Sequence, residues 1–98
     1  MSKLYLEYLK RKNENNDKYY LFKSGLFYIF IDEDARNINK ITPLNITNLS
    51  NDVVKCGFPS NSLEKYLSIF KNLGLDVDIV DEIKKETNEN ISKKIIKK

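Results

Sequence analysis

Residues 18–32, KYYLFKSGLFYIFID, constrain the fold of this chain more than any other stretch. Two runs of aromatic and β-branched residues meet at Ser24 and Gly25, which reads as two strands joined by a tight turn or as one strand bent at glycine. The second run, residues 26–31, has no polar group except the Tyr28 hydroxyl. Neither of its faces suits open water, so each must meet protein or a ligand. On a strand, Phe27 and Ile29 project to one side while Leu26, Tyr28 and Phe30 project to the other.

A chain of 98 residues supports one small domain. Hydrophobic residues at 41% and charged residues at 32% suit a globular protein, and no apolar run is long enough to span a bilayer. The opening Met1-Ser2-Lys3-Leu4 is not a secretory signal, so a reducing, cytoplasmic setting is expected. The single Cys56 excludes an internal disulfide, and with no histidine a His-dependent triad is impossible. The net charge of +3 is uneven: residues 84–98 hold six lysines against Glu86 and Glu89, which leaves the remainder at −1. The expected division is therefore a globular unit over residues 1–83 and a basic, frayed or disordered tail over residues 84–98. Such a tail either attracts nucleic acid electrostatically or serves as a solvated terminus.

The rest of the chain supplies partners for a sheet. Leu4, Tyr5, Leu6, Tyr8 and Leu9 fit a helix over residues 3–13, with Arg11 and Lys12 in its last turn, where cations suit the dipole. The Asn-rich residues 13–17 end it. Asp32, Glu33 and Asp34 then open a short helix with Ala35 and Ile38 inward. Weak alternation over residues 41–49 predicts a strand, and residues 53–58 a second one broken at Gly57-Phe58-Pro59. Asn61 and Glu64 have the spacing of a capping box ahead of the stripe Leu63, Tyr66, Leu67, Phe70 and Leu73, with Gly74 at the C′ position. Val77, Ile79 and Val80 read as a last strand. This order predicts an α/β (α+β) layer architecture, a mixed sheet of five to six strands with three helices packed around it.

Chemistry is narrowed by elimination. There is no phosphate-binding glycine loop, no dinucleotide fingerprint and no HExxH or paired-cysteine metal signature. Asp32, Glu33 and Asp34 are better explained by helix N-terminal charge than by a cation site, and Cys56 in an apolar strand by packing than by nucleophilic work. No enzyme, metal or cofactor is expected.

Taken together, several segments resemble a known family. The run Tyr20-Leu21-Phe22-Lys23-Ser24-Gly25-Leu26-Phe27-Tyr28-Ile29-Phe30-Ile31-Asp32-Glu33-Asp34-Ala35 is similar to the amino-terminal, mismatch-recognition domain (domain I) of the MutS mismatch repair family. Cys56-Gly57-Phe58-Pro59, then Glu64 with Tyr66-Leu67, then Gly74 and Val77-Asp78-Ile79-Val80-Asp81 follow in the family's order. The resemblance extends from about residue 4 to residue 83. It implies a mixed sheet surrounded by helices, and a Phe-x-Glu motif whose phenylalanine wedges into a duplex from the minor groove while the glutamate hydrogen-bonds the mispaired base. Phe27 occupies the wedge position. Ile29 stands where the glutamate would be, which removes the polar base contact. Leu26, Ser24 and Asn61 replace the usual Asp, Met and His. The chain ends before any connector, clamp or ATPase domain, so a fragment and a stand-alone relative are both open.

Two functions follow. In the first, the domain binds double-stranded DNA, mismatched or not, with Phe27 as wedge, Ile29 beside it, and Lys23, Lys18 and Lys55 on phosphates. In the second, an exposed apolar Phe27/Ile29 patch binds a protein partner or a second copy of the chain.

Overall fold

The β1–β2 hairpin sits near the middle of the sheet and sets its geometry. In this computed structural model, which describes residues 2–81, strand β1 (Tyr19–Ser24) turns at Gly25 and Leu26 into strand β2 (Phe27–Ile31). Ser24 pairs with Phe27 and Phe22 with Ile29. Gly25 has φ +61°, the conformation that the first turn residue of a type II′ hairpin demands. Of the two readings of residues 18–32, the hairpin is the one adopted.

Helix α1 (Lys3–Glu14) precedes the hairpin and begins where the Ser2 hydroxyl accepts the Tyr5 N–H at 3.1 Å. Helix α2 (Asp32–Ile41) leaves β2 directly. Strands β3 (Thr47–Ser50) and β4 (Val53–Pro59) form a second hairpin across Asn51 and Asp52, the latter at φ +63°. A 3-10 turn (Ser60–Ser62) leads into α3 (Leu63–Asn72), and β5 (Val77–Val80) closes the order. The five strands lie β3-β4-β2-β1-β5, antiparallel except for the parallel β1–β5 pair that the α3 crossover requires. Among the described residues this is the expected mixed sheet with three helices.

Alternation along the strands divides the core in two. On one face Leu21, Tyr28, Phe30, Cys56 and Phe58 meet Ala35 and Ile38 of α2 and Phe70 of α3. Phe58 stacks on Tyr66 at 4.4 Å between centroids, and Phe30 meets Phe70 edge-on at 5.3 Å. On the other face Tyr20, Phe22, Ile29, Ile31 and Val53 receive Tyr8, Leu4 and Tyr5 of α1. From Tyr28 to Ile31, apolar β2 is thus covered on both sides, as its composition demanded. Cys56 is buried, its thiol pushed up to about 12 by desolvation, and it packs as a small apolar group.

Some local expectations give way to tertiary structure. The predicted strand over residues 41–49 is a strand only at Thr47–Ser50: Ile41 ends α2, and residues 42–46 are a loop. Pairing with β2 carries β4 through Gly57 and Phe58 to Pro59, which sits opposite Phe27, so Gly57 does not break the strand. The capping box does not form, because a 3-10 turn precedes α3 and its N-cap, Ser62, makes no side-chain bond to the helix backbone. Gly74 does take the C′ role, at φ +76°. Its N–H donates to the Lys71 carbonyl and that of Leu75 to Phe70, both at 3.0 Å, a Schellman closure. The expected tail lies outside the described residues. Among those described, no helix is long and apolar enough to cross a membrane.

A buried ion pair ties α1 to the start of α2. Asp34 is 1% exposed. Its carboxylate accepts from the Lys12 ammonium at 2.8 Å and from the Tyr20 N–H at 3.0 Å, while its own N–H donates to the Tyr8 hydroxyl at 3.4 Å. Lys12 spends its remaining donors on the carbonyls of Asn16 and Lys18. Lys12 is therefore a structural cation rather than a mere complement to the helix dipole. Asp34 likewise does more than charge a helix N-terminus. Asp32 and Glu33 remain at the surface end of α2, where Arg36 answers both.

Candidate nucleic-acid interface at the hairpin tip

Among the described residues, the β1–β2 turn carries the most exposed large apolar side chain, Leu26, next to the one exposed phenylalanine, Phe27. Leu26 is 80% exposed and Phe27 49%, whereas Tyr28, Ile29, Phe30 and Ile31 are all buried. The gradient follows from position. Phe27 is the first residue of β2, beyond the reach of α1, and its cross-strand neighbours are the small Ser24 and the terminal Pro59. The tip is held firmly. The Ser60 N–H donates to the Leu26 carbonyl at 2.8 Å, which fastens the turn to the first residue after β4.

Beside Phe27 lies an open cleft of about 410 Å³. One wall is apolar, made by Phe27, Ile29, Pro43 and Leu44. Its other lining side chains are Ser24, Asn45, Thr47 and Lys55, and no carboxylate is among them. The loop that forms one rim is pinned: the Leu44 N–H donates to Thr42 Oγ1 at 3.2 Å and Asn39 Nδ2 donates to the Leu44 carbonyl at 2.8 Å. Gly57 completes the floor. A Cβ on it would lie 2.1 Å from the Tyr28 carbonyl oxygen, so only glycine allows β4 to pass β2 so closely.

The five residues singled out in the sequence are only partly brought together. Phe27, Ile29 and Lys55 share one sheet face and one cleft. Ile29 is just 4% exposed, packed under α1, so the expected exposed Phe27/Ile29 pair is instead Phe27 with Leu26. Lys23 is exposed at the same end of the hairpin but pairs with Tyr28, which places it on the opposite face from Phe27. Lys18 lies at the far end of β1, roughly 20 Å along the strand from the tip. There it forms a 3.3 Å ion pair with Asp78, whose hydrogen bond and charge raise the lysine's pKa. Sequence reasoning missed Pro43, Leu44, Asn45 and Thr47 as cleft residues, because alternation placed them in a strand.

Comparison with known proteins agrees with this architecture. The family described as MutS domain I matches residues 3–98. The chain is similar to the DNA mismatch repair protein MutS of Thermotoga neapolitana, 32% identical over 98 residues, which covers 100% of this chain and 12% of that protein. It is also similar to the protein of the same name from Staphylococcus aureus (strain N315), 27% identical over 97 residues, which covers 93% of this chain and 11% of that protein. The chain thus spans about an eighth of the length of these curated relatives. With the match running almost from end to end, over a mixed sheet whose leading hairpin carries the Phe27 segment, the chain belongs to the MutS domain I family.

Proposed function

We propose that this domain binds double-stranded DNA by inserting Phe27 from the minor-groove side at a step whose stacking is already weakened. The observation that carries this reading is a half-exposed phenylalanine on a rigid two-residue hairpin, extended by the fully projecting Leu26. An apolar wedge recovers part of the unstacking cost by contact with the exposed base faces. Lys55 in the cleft and Lys23 across the tip provide phosphate contacts on either side of the wedge. Lys18, committed to Asp78 far from the tip, has no part in it. Family membership and the names of the curated relatives support DNA as the partner. The single buried thiol suits a reducing, cytoplasmic compartment.

Ile29 changes what such a wedge can read. It is packed into the core and lines the cleft with methyl groups, so it offers no hydrogen bond to a base. Recognition then rests on how easily a step opens rather than on base identity, and preference for one mispair over another is expected to be small. Binding measured by fluorescence anisotropy across a salt series tests the proposal. Phe27→Ala is expected to weaken binding roughly 5- to 150-fold, the cost of about 1–3 kcal/mol of stacking. Lys55→Ala should flatten the salt dependence by about 0.9 in the log–log slope. Binding indifferent to Phe27→Ala would remove the wedge. The second reading, contact with a protein or another copy of the chain, is favoured by the 80% exposure of Leu26. It predicts concentration-dependent association that Leu26→Asp abolishes and salt leaves intact.

A further inference from the structure

We propose that Tyr28 is a positioning residue for the wedge, its hydroxyl strapping the hairpin tip to the end of β5 so that Phe27 does not yield when it enters a stack. This inference rests on the wedge reading and adds the residue that stiffens it. The Tyr28 hydroxyl is the only polar side-chain group in residues 26–31, and packing alone gives it no reason to be there. The ring stacks on Phe58, its partner on β4, with 6.0 Å between centroids, and a phenylalanine would do the same. The hydroxyl goes elsewhere. It donates to Asp81 Oδ1 at 3.2 Å, one residue past β5 and 53 positions along the chain.

The strand order sets what that bond spans. β1 lies between β2 and β5, so the bond bridges two strand spacings, roughly 9–10 Å. β5 stops short of the turn: its last pair is Val80 with Phe22, whereas β1 and β2 run on to pair Ser24 with Phe27. The tip therefore overhangs β5. On the β4 side it is held by the Phe27–Pro59 pair and by the Ser60 N–H on the Leu26 carbonyl. On the β5 side, among the described residues, the Tyr28–Asp81 bond is the one side-chain hydrogen bond that the tip makes. A duplex resists a wedge with the stacking it stands to lose, and a tip free to rock is turned aside by that resistance.

The test measures affinity on the whole chain, by fluorescence anisotropy, for a fully paired duplex and for one with a single unpaired nucleotide. The ratio of the two is the readout, because the Asp81 carboxylate repels the phosphates of both alike. Tyr28→Phe and Asp81→Ala should each lower the wild-type preference for the unpaired duplex by roughly 2- to 12-fold, the worth of one hydrogen bond. The double variant should lose no more than either alone, and Asp81→Asn, whose amide oxygen still accepts, should keep the preference. Ile31→Val, buried under α1 at the far end of β2, should lower stability and leave the ratio unchanged, which separates positioning from general weakening. A ratio unmoved by Tyr28→Phe and Asp81→Ala, or moved as much by Ile31→Val, would overturn the strap, while the wedge would still stand if Phe27→Ala removed the preference. No preference in the wild-type protein, or one that survives Phe27→Ala, would overturn both.

Discussion

Lys12→Met is expected to cost about 3–5 kcal/mol of folding stability, read as a shift in the denaturant midpoint at constant slope. The substitution keeps the length of the side chain and removes an ammonium that donates to Asp34 and to the carbonyls of Asn16 and Lys18. What remains is a carboxylate at 2% side-chain exposure with only the Tyr20 N–H to support it. Domains of this kind are stable by about 5–15 kcal/mol in all, so the loss is a large share. Asp34 titrates above the ordinary carboxylate value because burial outweighs the opposing pull of Lys12 and the Tyr20 N–H. The sign follows from that direction. The folded state holds the Asp34 proton more tightly than the unfolded chain does, so this contribution to stability is complete below the unfolded pKa. It is lost as pH rises through the raised folded value. Removing Lys12 lifts the folded value further, and the deficit of the variant should be smaller near about pH 4 than near about pH 7. In Lys12→Met combined with Asp34→Asn, the second change should restore part of the loss, because a neutral amide can still accept from Tyr20. A midpoint within error of wild type would contradict the role assigned to the pair.

Gly57→Ala is the second large effect. The added methyl would meet the Tyr28 carbonyl oxygen at 2.1 Å and Ile29 Cγ2 at 2.8 Å. The nearer of these is backbone of a central strand, which cannot rotate away, so β2 and β4 must separate and lose ladder hydrogen bonds near Phe27. A cost of about 3 kcal/mol is expected, roughly 12–24 °C in Tm for a domain of this size. Gly57 also lines the cleft, so the variant should bind DNA more weakly even well below its own Tm. Thermal unfolding within roughly 3 °C of wild type would show that β4 does not need the glycine.

Much of this architecture is written in local pattern. The hairpin follows from two apolar runs around a glycine that must adopt positive φ, and α1 and α3 follow from apolar residues recurring at helical spacing. The Schellman closure at Gly74 is a sequence signal realised as expected. What escaped are features decided by residues far apart in the chain. Nothing near Lys12 indicates that its partner is Asp34, and nothing near Gly57 indicates that Tyr28 lies against it. Residues 43–46 read as part of a strand in the sequence. Their place is set instead by Asn39 and Thr42 bonding Leu44 from α2 and its C-cap, and that loop gives the cleft its rim. Phe27 was legible as a candidate through its resemblance to the family's wedge. Its exposure beside a buried Ile29 is a tertiary outcome that no local pattern records.

The central claim is that the Phe27 ring enters the duplex. It is tested most directly by nuclear Overhauser contacts between the ring protons of Phe27 and DNA, on the whole chain bound to an oligonucleotide with one unpaired nucleotide. Contacts are expected from that ring to minor-groove sugar and base protons at the unpaired step, with the resonances of Leu26 and Lys55 shifting alongside. A bound complex in which the Phe27 ring keeps its free-state shifts, while protons on another surface contact the DNA, would contradict it.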